Sequence, residues 1–366
     1  MKSKNWKHNL VCAALLSLAA AAHAQLFTAG DLVVLQDGNG SAALSSAGTA
    51  IFLDQYTTSG SFLNSLAIPS TGSSALVNSG TASSEGTLNL SANGQYLVFA
   101  GYNVAAGTAG VAGATSASVP RGIATVNSAG TYSLAATTAT YYSGNNIRAA
   151  TSDDNGNFWG AGPAATGGTV YLGTGTPAQI SSSNSIAVQD IGGNLYFSTA
   201  KGTTGVYEIP GTPTSGSATP ALVLPNANPS DFAFNANMTI AYVANTSGGI
   251  ARYNFSGGSW TLGYTLDSGT GINGLAVNFS GVNPTVYATT EDGTSIIAIT
   301  DSGSGSTPTT LVTAGTNEAF RGLDFAPQSV PEPSTLALAG TGLLALWKLR
   351  RQRKSCKVAN NSTRAG

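Results

Sequence analysis

A short unit recurs along this 366-residue chain: an alternating segment, a Gly/Asn turn, a segment bearing Tyr or Phe, and then a Val/Ile-rich one. The clearest copies are residues 185–189, 194–198 and 205–209; 231–234, 239–243 and 249–253; and 273–277, 285–289 and 295–299. Looser copies occupy 85–90, 96–99 and 121–126, then 148–150, 158–159 and 169–172. With Leu90, Ala150, Val188, Phe234, Val277 and Phe325 taken as equivalent, the spacings are 60, 38, 46, 43 and 48 residues. Period-2 alternation makes strands, and a four-stranded unit every roughly 40–50 residues is a β-propeller blade. The longest spacing holds an Ala/Gly-rich insertion. No stretch keeps its apolar residues at helical spacing.

The two ends of the repeat are complementary. Residues 31–68 offer three strands only, at 32–36, 51–56 and 61–68, whereas 320–325 repeats the first-strand pattern with no unit after it. The reading is an all-β, six-bladed propeller over residues 25–329, in which the last strand completes the first blade and leaves no exposed edge. Seven blades follow if residues 101–145 hide another short one. An irregular β-sandwich or β-solenoid is the competing architecture.

Both histidines (His8, His23) and both cysteines (Cys12, Cys356) lie outside that body. The body therefore has no Ser-His-Asp or Cys-His catalysis, no Cys/His zinc site and no disulfide. Its five basic residues (Arg121, Arg148, Lys201, Arg252 and Arg321) face 15 acidic ones, a net charge of −10. Nucleic acid is not a partner for such a surface. Nothing in the body asks for a metal or another cofactor.

The termini read as addresses. Lys2, Lys4 and Lys7 precede an apolar run from Leu10 to Ala22, and Ala22-His23-Ala24 places small residues just before Gln25. Residues 1–24 form a secretory signal peptide, with signal peptidase cutting between Ala24 and Gln25; the run is well short of the about 20 residues that span a bilayer. At the other end, Val330-Pro331-Glu332-Pro333 leads into an apolar stretch from Leu336 to Trp347, followed by Lys348, Arg350, Arg351, Arg353 and Lys354. The basic cluster resists translocation and leaves the body outside the inner membrane.

Residues 330–354 resemble the carboxy-terminal sorting signal of the PEP-CTERM family: a Pro-Glu-Pro tripeptide, a short apolar transmembrane helix and an Arg-rich end. Residues 355–366 form a further basic and polar tail. The resemblance implies an exosortase-type membrane peptidase that acts near the tripeptide. It also implies transient anchoring in the inner membrane, a Gram-negative host and a destination at the cell surface or in an exopolysaccharide matrix.

In a propeller the starts of the first strands crowd around the mouth of the central channel. Those positions are Glu85, Arg148, Asn184, Asp231, Asn273 and Arg321. Such a ring either binds a polar ligand, with arginines gripping carboxylate or sulfate groups, or its members pair with one another or cap the loops between blades. Ser152 to Asn157 carries alternating oxygen ligands as a calcium loop does, but Asn-Gly is also the commonest tight hairpin turn. Glu291-Asp292-Gly293 reads as a hairpin. The recurrent Tyr96, Trp159, Tyr196, Tyr242 and Tyr287 read as packing between blades, while Trp260 and Tyr264 on an outer strand are able to stack on sugars. The functional expectation is a non-enzymatic binding or structural protein of the envelope or matrix. The alternative is a secreted carbohydrate-active enzyme with Glu85 and Asp231 as its carboxylates.

Overall fold

The computed structural model describes residues 25–329 apart from Asn155. Segments rich in Val, Ile, Tyr, Phe and Thr form the strands, and Gly at positive φ turns the chain between them, as at Gly94 and at Gly192-Gly193. Strands β1 (Leu32–Asp37), β2 (Gly48–Tyr56) and β3 (Phe62–Ala67) make an antiparallel meander. After β4 (Val77–Ser79) come β5 (Asn89–Leu90), β6 (Tyr96–Tyr102), β7 (Arg121–Asn127) and β8 (Tyr132–Thr138), paired in that order.

Four separate four-stranded antiparallel sheets follow. The first contains β9 (Ala149–Ser152), β10 (Phe158–Ala161), β11 (Thr169–Tyr171) and β12 (Ala178–Ser181). The second contains β13 (Val188–Ile191), β14 (Asn194–Thr199), β15 (Gly205–Ile209) and β16 (Ala221–Pro225). The third contains β17 (Pro229–Phe234), β18 (Ile240–Asn245), β19 (Gly249–Ser256) and β20 (Ser259–Leu266). The fourth contains β21 (Ile272–Asn278), β22 (Thr285–Thr290), β23 (Ser295–Thr300) and β24 (Thr309–Thr313).

The last strand, β25 (Ala319–Phe325), runs antiparallel to β1, with Phe325 opposite Leu32 and Ala319 opposite Asp37. The architecture is all-β and propeller-like. Among the described residues the helical content is one 3-10 turn, Ala164–Thr166.

First strands meet their neighbours side by side: β25 touches β5, β5 touches β9, β9 touches β13, β17 touches β21, and β21 touches β25. Gln189 on β13 reaches β17 through a hydrogen bond to the Phe232 carbonyl at 2.8 Å. The closest approach needs glycine. A Cβ on Gly274 would lie 2.9 Å from the Gly322 Cα, and one on Gly322 would collide with the backbone of Gly86 to Leu88.

The structure refines the sequence reading at three places. Of the segment 85–90, only Asn89 and Leu90 are strand, because the residues before them are used in a loop that ties several strand starts together. Residues 101–145 hold no further sheet; they supply β7 and β8 and a strand-free loop between β6 and β7. The short β4, which no alternation marked, pairs with both β2 and β6 and merges the first two arrays into one nine-stranded sheet.

Apolar clusters fill the spaces between consecutive sheets. Val98 and Ile123 meet Phe158 and Val170; Trp159 and Ile180 meet Leu195 and Phe197; Val206 and Leu224 meet Phe232 and Val243. Ile250 and Leu266 meet Leu275 and Val286; Tyr287 and Ile296 meet Leu32 and Phe320; Val33 and Ile51 meet Leu97 and Val126. Each such side chain contributes about 1.5–3 kcal/mol by leaving water. Trp159, Tyr196, Tyr242 and Tyr287 are buried in these layers, and Tyr96 is half-buried at the edge of one. Trp159 also donates its indole N–H to the Pro213 carbonyl at 2.8 Å.

The expected signal peptide, apolar helix and basic tail lie outside the described residues. Among those described, no helix is long and apolar enough to cross a membrane.

Candidate functional site

The loop from Gly80 to Leu88 lies across the starts of several first strands, and its backbone supplies most of the bonds. Gly86 accepts from Gly322 N–H at 2.9 Å, Ser83 from the Asn273 side chain at 2.7 Å, and Gly80 from Arg321 Nη2 at 2.9 Å. Thr87 donates its N–H to the Arg148 carbonyl at 3.4 Å, and the Ser83 hydroxyl donates to Glu291 Oε1 at 3.0 Å. The loop is thus fastened to β9, β21 and β25 and to the hairpin after β22.

Glu85 points inward from this loop and is almost fully buried. Its Oε1 accepts from the Tyr102 hydroxyl at 2.5 Å and from Asn146 Nδ2 at 2.6 Å, and its Oε2 from the Ser79 N–H at 2.9 Å. Burial pushes the Glu85 carboxyl up to about 7 despite those three donors, which favour the charged form. Burial and the nearby Glu85 charge raise the Tyr102 phenol well above its ordinary value. Arg148 turns its Nη1 to Asn184 Oδ1 at 3.2 Å and to the Ser185 carbonyl at 3.0 Å. Burial lowers its guanidinium, and the Glu85 charge offsets part of that.

Arg321 pairs instead with Asp37, Nε to Oδ2 at 2.9 Å, with both side chains buried. Asn78 donates to the other oxygen of Asp37 at 3.0 Å. Burial raises the Asp37 carboxyl, and the Arg321 guanidinium draws it part of the way back.

The structure therefore brings Arg148, Asn273 and Arg321 to the loop that carries Glu85, and joins Asn184 to this group only through Arg148. Asp231 sits apart, inside the ring of first strands. Its Oδ1 accepts from Phe232 N–H at 2.9 Å and from Gln189 Nε2 at 3.1 Å, and its Oδ2 from Leu275 N–H at 3.0 Å. Asp324, on the equivalent strand β25, is its counterpart, and burial lifts each of the two carboxyls to about 7. Asn89 completes the pattern by donating to the Ala150 carbonyl at 2.8 Å and the Val188 carbonyl at 3.2 Å.

One predicted residue borders open space. Asn184 lines a 230 Å³ cleft with Ser183, Thr199, Lys201 and Tyr207. Its lining is polar, with hydroxyls, an amide and one ammonium. Burial holds the Glu85, Asp231 and Asp324 carboxyls above the usual carboxylate range, and their oxygens are filled by fixed N–H and O–H donors.

Sequence reasoning missed Asp37, Tyr102, Asn146 and Asp324. Asp37 is 284 positions from Arg321, and no local pattern links them. Asp324 did carry a signal, because Asp-Phe recurs at 231–232 and 324–325 on equivalent strands.

The Ser152–Asn157 segment is the turn between β9 and β10, where Asp153 Oδ1 accepts from the Asn157 N–H at 2.9 Å and Oδ2 from Asn157 Nδ2 at 2.6 Å. Asp292 likewise accepts from the Thr294 N–H at 3.0 Å in the turn after β22. Among the described residues no three His, Cys, Asp or Glu side chains are grouped to hold a metal ion.

Residues 329–354 match the family model described as the PEP-CTERM protein-sorting motif, and the chain carries that signal immediately after the last strand. No curated protein matches the chain in sequence. Similar solved structures include a functionally unknown protein from Desulfotomaculum acetoxidans, at 12% identity and TM-score 0.46, covering 81% of this chain and 90% of that one. Another is the periplasmic gluconolactonase of Pseudomonas aeruginosa, at 12% identity and TM-score 0.44, covering 76% of this chain and 82% of that one. A gluconolactonase from Xanthomonas campestris has 12% identity and TM-score 0.41, covering 81% and 91%. Likeness at this level carries no argument, and the architecture rests on the strand pairing above.

Proposed function

We propose that this protein is exported behind a signal peptide and processed by an exosortase-type peptidase. It then acts at the cell surface or in the extracellular matrix as a non-enzymatic six-bladed propeller. Signal peptidase removes residues 1–24, leaving Gln25 first. The inner membrane holds the chain only until the segment at Val330-Pro331-Glu332-Pro333 is cut.

The observation that carries this reading is the position of the sorting motif relative to the last strand. β25 ends at Phe325, Ala326 donates to the Asp31 carbonyl at 2.8 Å, and Gln328 donates to the Gly94 carbonyl at 2.8 Å. The motif begins at residue 329. Cutting within it releases the signal and leaves every pairing of β25 with β1 in place.

A binding or structural role is supported by how the buried polar groups are spent. Glu85, Asp231 and Arg321, the groups from which a catalytic centre would be built, are occupied by the chain's own donors and acceptors. Ligand contact falls to the open side of the ring at Asn184, and a matrix exopolysaccharide is the ligand class.

Intact-mass analysis of the mature protein from its native host, wild type against Glu332→Ala, tests the reading. Loss of residues 1–24 with truncation near Pro331-Glu332-Pro333 in wild type alone supports it, and a chain still ending at Gly366 in both overturns it. Turnover of a polysaccharide panel, abolished by Glu85→Gln, would replace the binder with an enzyme.

A further inference from the structure

We propose a second site, in the cleft between the β17–β20 and β21–β24 sheets, that binds an oligosaccharide through a carboxylate on one of its sugars. The proposal rests on the binding-module reading above and names its ligand chemistry. The cleft has a volume of 340 Å³ and is lined by Arg252, Tyr264, Phe279, Asn283, Asp301 and Ser302, among others. That is within the roughly 300–1,000 Å³ of small-molecule sites.

Arg252 is held in place from behind. Its Nε lies 3.0 Å from Oδ2 of Asp301, an ion pair by distance although the N–H is not aligned on that oxygen. Asp301 is itself fixed by the Tyr242 hydroxyl at 2.5 Å and the Tyr264 hydroxyl at 2.6 Å. Nη1 donates to Asn254 Oδ1 at 2.7 Å, and the guanidinium carbon stands 5.3 Å from the centre of the Tyr264 ring. A guanidinium has five N–H donors, so Asn254, Asp301 and the Tyr242 phenol beside it take up only part of its capacity. The side chain remains 18% exposed where it lines the cleft. Arg121, by contrast, is fully buried and bonds four backbone carbonyls.

A pre-oriented guanidinium in an open cleft suits the planar, two-oxygen geometry of a carboxylate. What adjoins it points to a sugar. Tyr264 and Phe279 offer apolar ring surface, and Asn283 and Ser302 offer neutral hydrogen bonding. Ser302 is shared with a neighbouring 590 Å³ cleft lined by Thr285, Thr300, Thr307 and Thr309 and by Tyr287, with no charged residue. A chain with its acidic unit on Arg252 would lay neutral, hydroxylated units along those threonines. Because the body carries a net charge of −10, no general field gathers polyanions, and binding depends on this one cation.

The test is calorimetric titration of the purified full chain with trigalacturonate and, separately, with maltotriose. Trigalacturonate should bind at least about tenfold more tightly, and Arg252→Gln should remove that preference, as expected for a bidentate carboxylate contact. Arg252→Gln leaves Asp301 without its cation and could unfold the sheet, so Asn283→Trp is the second variant. It places bulk in the cleft from an exposed position, and should abolish binding while the melting temperature stays at the wild-type value. Equal binding of the two sugars, no binding of trigalacturonate, or binding that survives Asn283→Trp overturns the site. Retention on native matrix polysaccharide together with any of those results removes this site alone and leaves the binder reading standing.

Discussion

Asp324 on β25 repeats for its neighbour what Asp231 on β17 does for its own. Each carboxylate accepts the N–H of the phenylalanine that follows it, at 2.7 Å for Asp324 and 2.9 Å for Asp231. Each then reaches the next first strand, Asp324 to Leu90 N–H at 2.7 Å and Asp231 to Leu275 N–H at 3.0 Å. The polar groups that line the ring thus join its members edge to edge where no sheet pairing does.

Burial lifts Asp231 and Asp324 from 3.8, and Glu85 from 4.5, to about 7. The folded chain holds these protons more tightly than the unfolded one, so their contribution to stability is whole below about pH 4 and is lost as pH rises through about 7. Asp292, where slight burial is outweighed by hydrogen bonds from Thr290 and Thr294, is held below its ordinary value and acts only in more acid solution. Thermal melts should show the midpoint falling steadily between about pH 5 and about pH 8, with the fall reduced in Asp324→Asn. A midpoint that is flat or rises across that window contradicts the assignment.

The Asp37–Arg321 pair is buried on both sides. Removing either partner strands a charge and should cost about 3–5 kcal/mol, whereas removing both should cost less than the sum. Urea unfolding of Asp37→Ala, Arg321→Ala and the double variant measures the coupling, and strict additivity would mean that the two charges do not stabilise one another.

Gly322 has no room for a methyl group, since a Cβ there collides with backbone atoms of Gly86 to Leu88 rather than with a movable side chain. Gly322→Ala should therefore destabilise by at least about 1–3 kcal/mol. Gly94, with open space around it, tests the turn instead; its φ of 70° makes Gly94→Ala costly by backbone strain alone, about 1 kcal/mol. Equal losses at the two sites would argue against close approach of β25 to the loop.

Trp159 is wholly buried and Tyr96 is not, although both occupy the same place in their units. Trp159→Ala should cost about 3–5 kcal/mol and Tyr96→Ala clearly less, read from denaturant midpoints.

Strand existence was legible wherever alternation and a Gly or Asn turn coincide, as at Asp231-Phe-Ala-Phe before Asn235 and at Asn93-Gly94. The pairing of β25 with β1 was legible too, because one array lacked a strand and one strand lacked an array. Loop 80–88 was not, since its role depends on carbonyls meeting Asn273 and Arg321 from distant segments. Nor was β4, where three residues carry no period. Arg148, Asn273 and Arg321 meet the loop that carries Glu85, whereas Asp231 is bonded to Gln189 and Leu275 among the first strands, a separation that depends on neighbours and not on register. Arg252 was counted among the basic residues but given no role, because its partner Asp301 follows β23, 49 positions away.

The pairing of β25 with β1 covers an edge that a shortened chain would expose. Leu32 to Leu35 are wholly buried between β2 and β25. A chain stopped or clipped before Ala319 presents that apolar strand as a free template for other molecules. In the whole chain, β25 is tethered at high effective concentration and outcompetes any neighbour. A chain that extends to Gln328 keeps every pairing of β25 with β1 and offers no such strand.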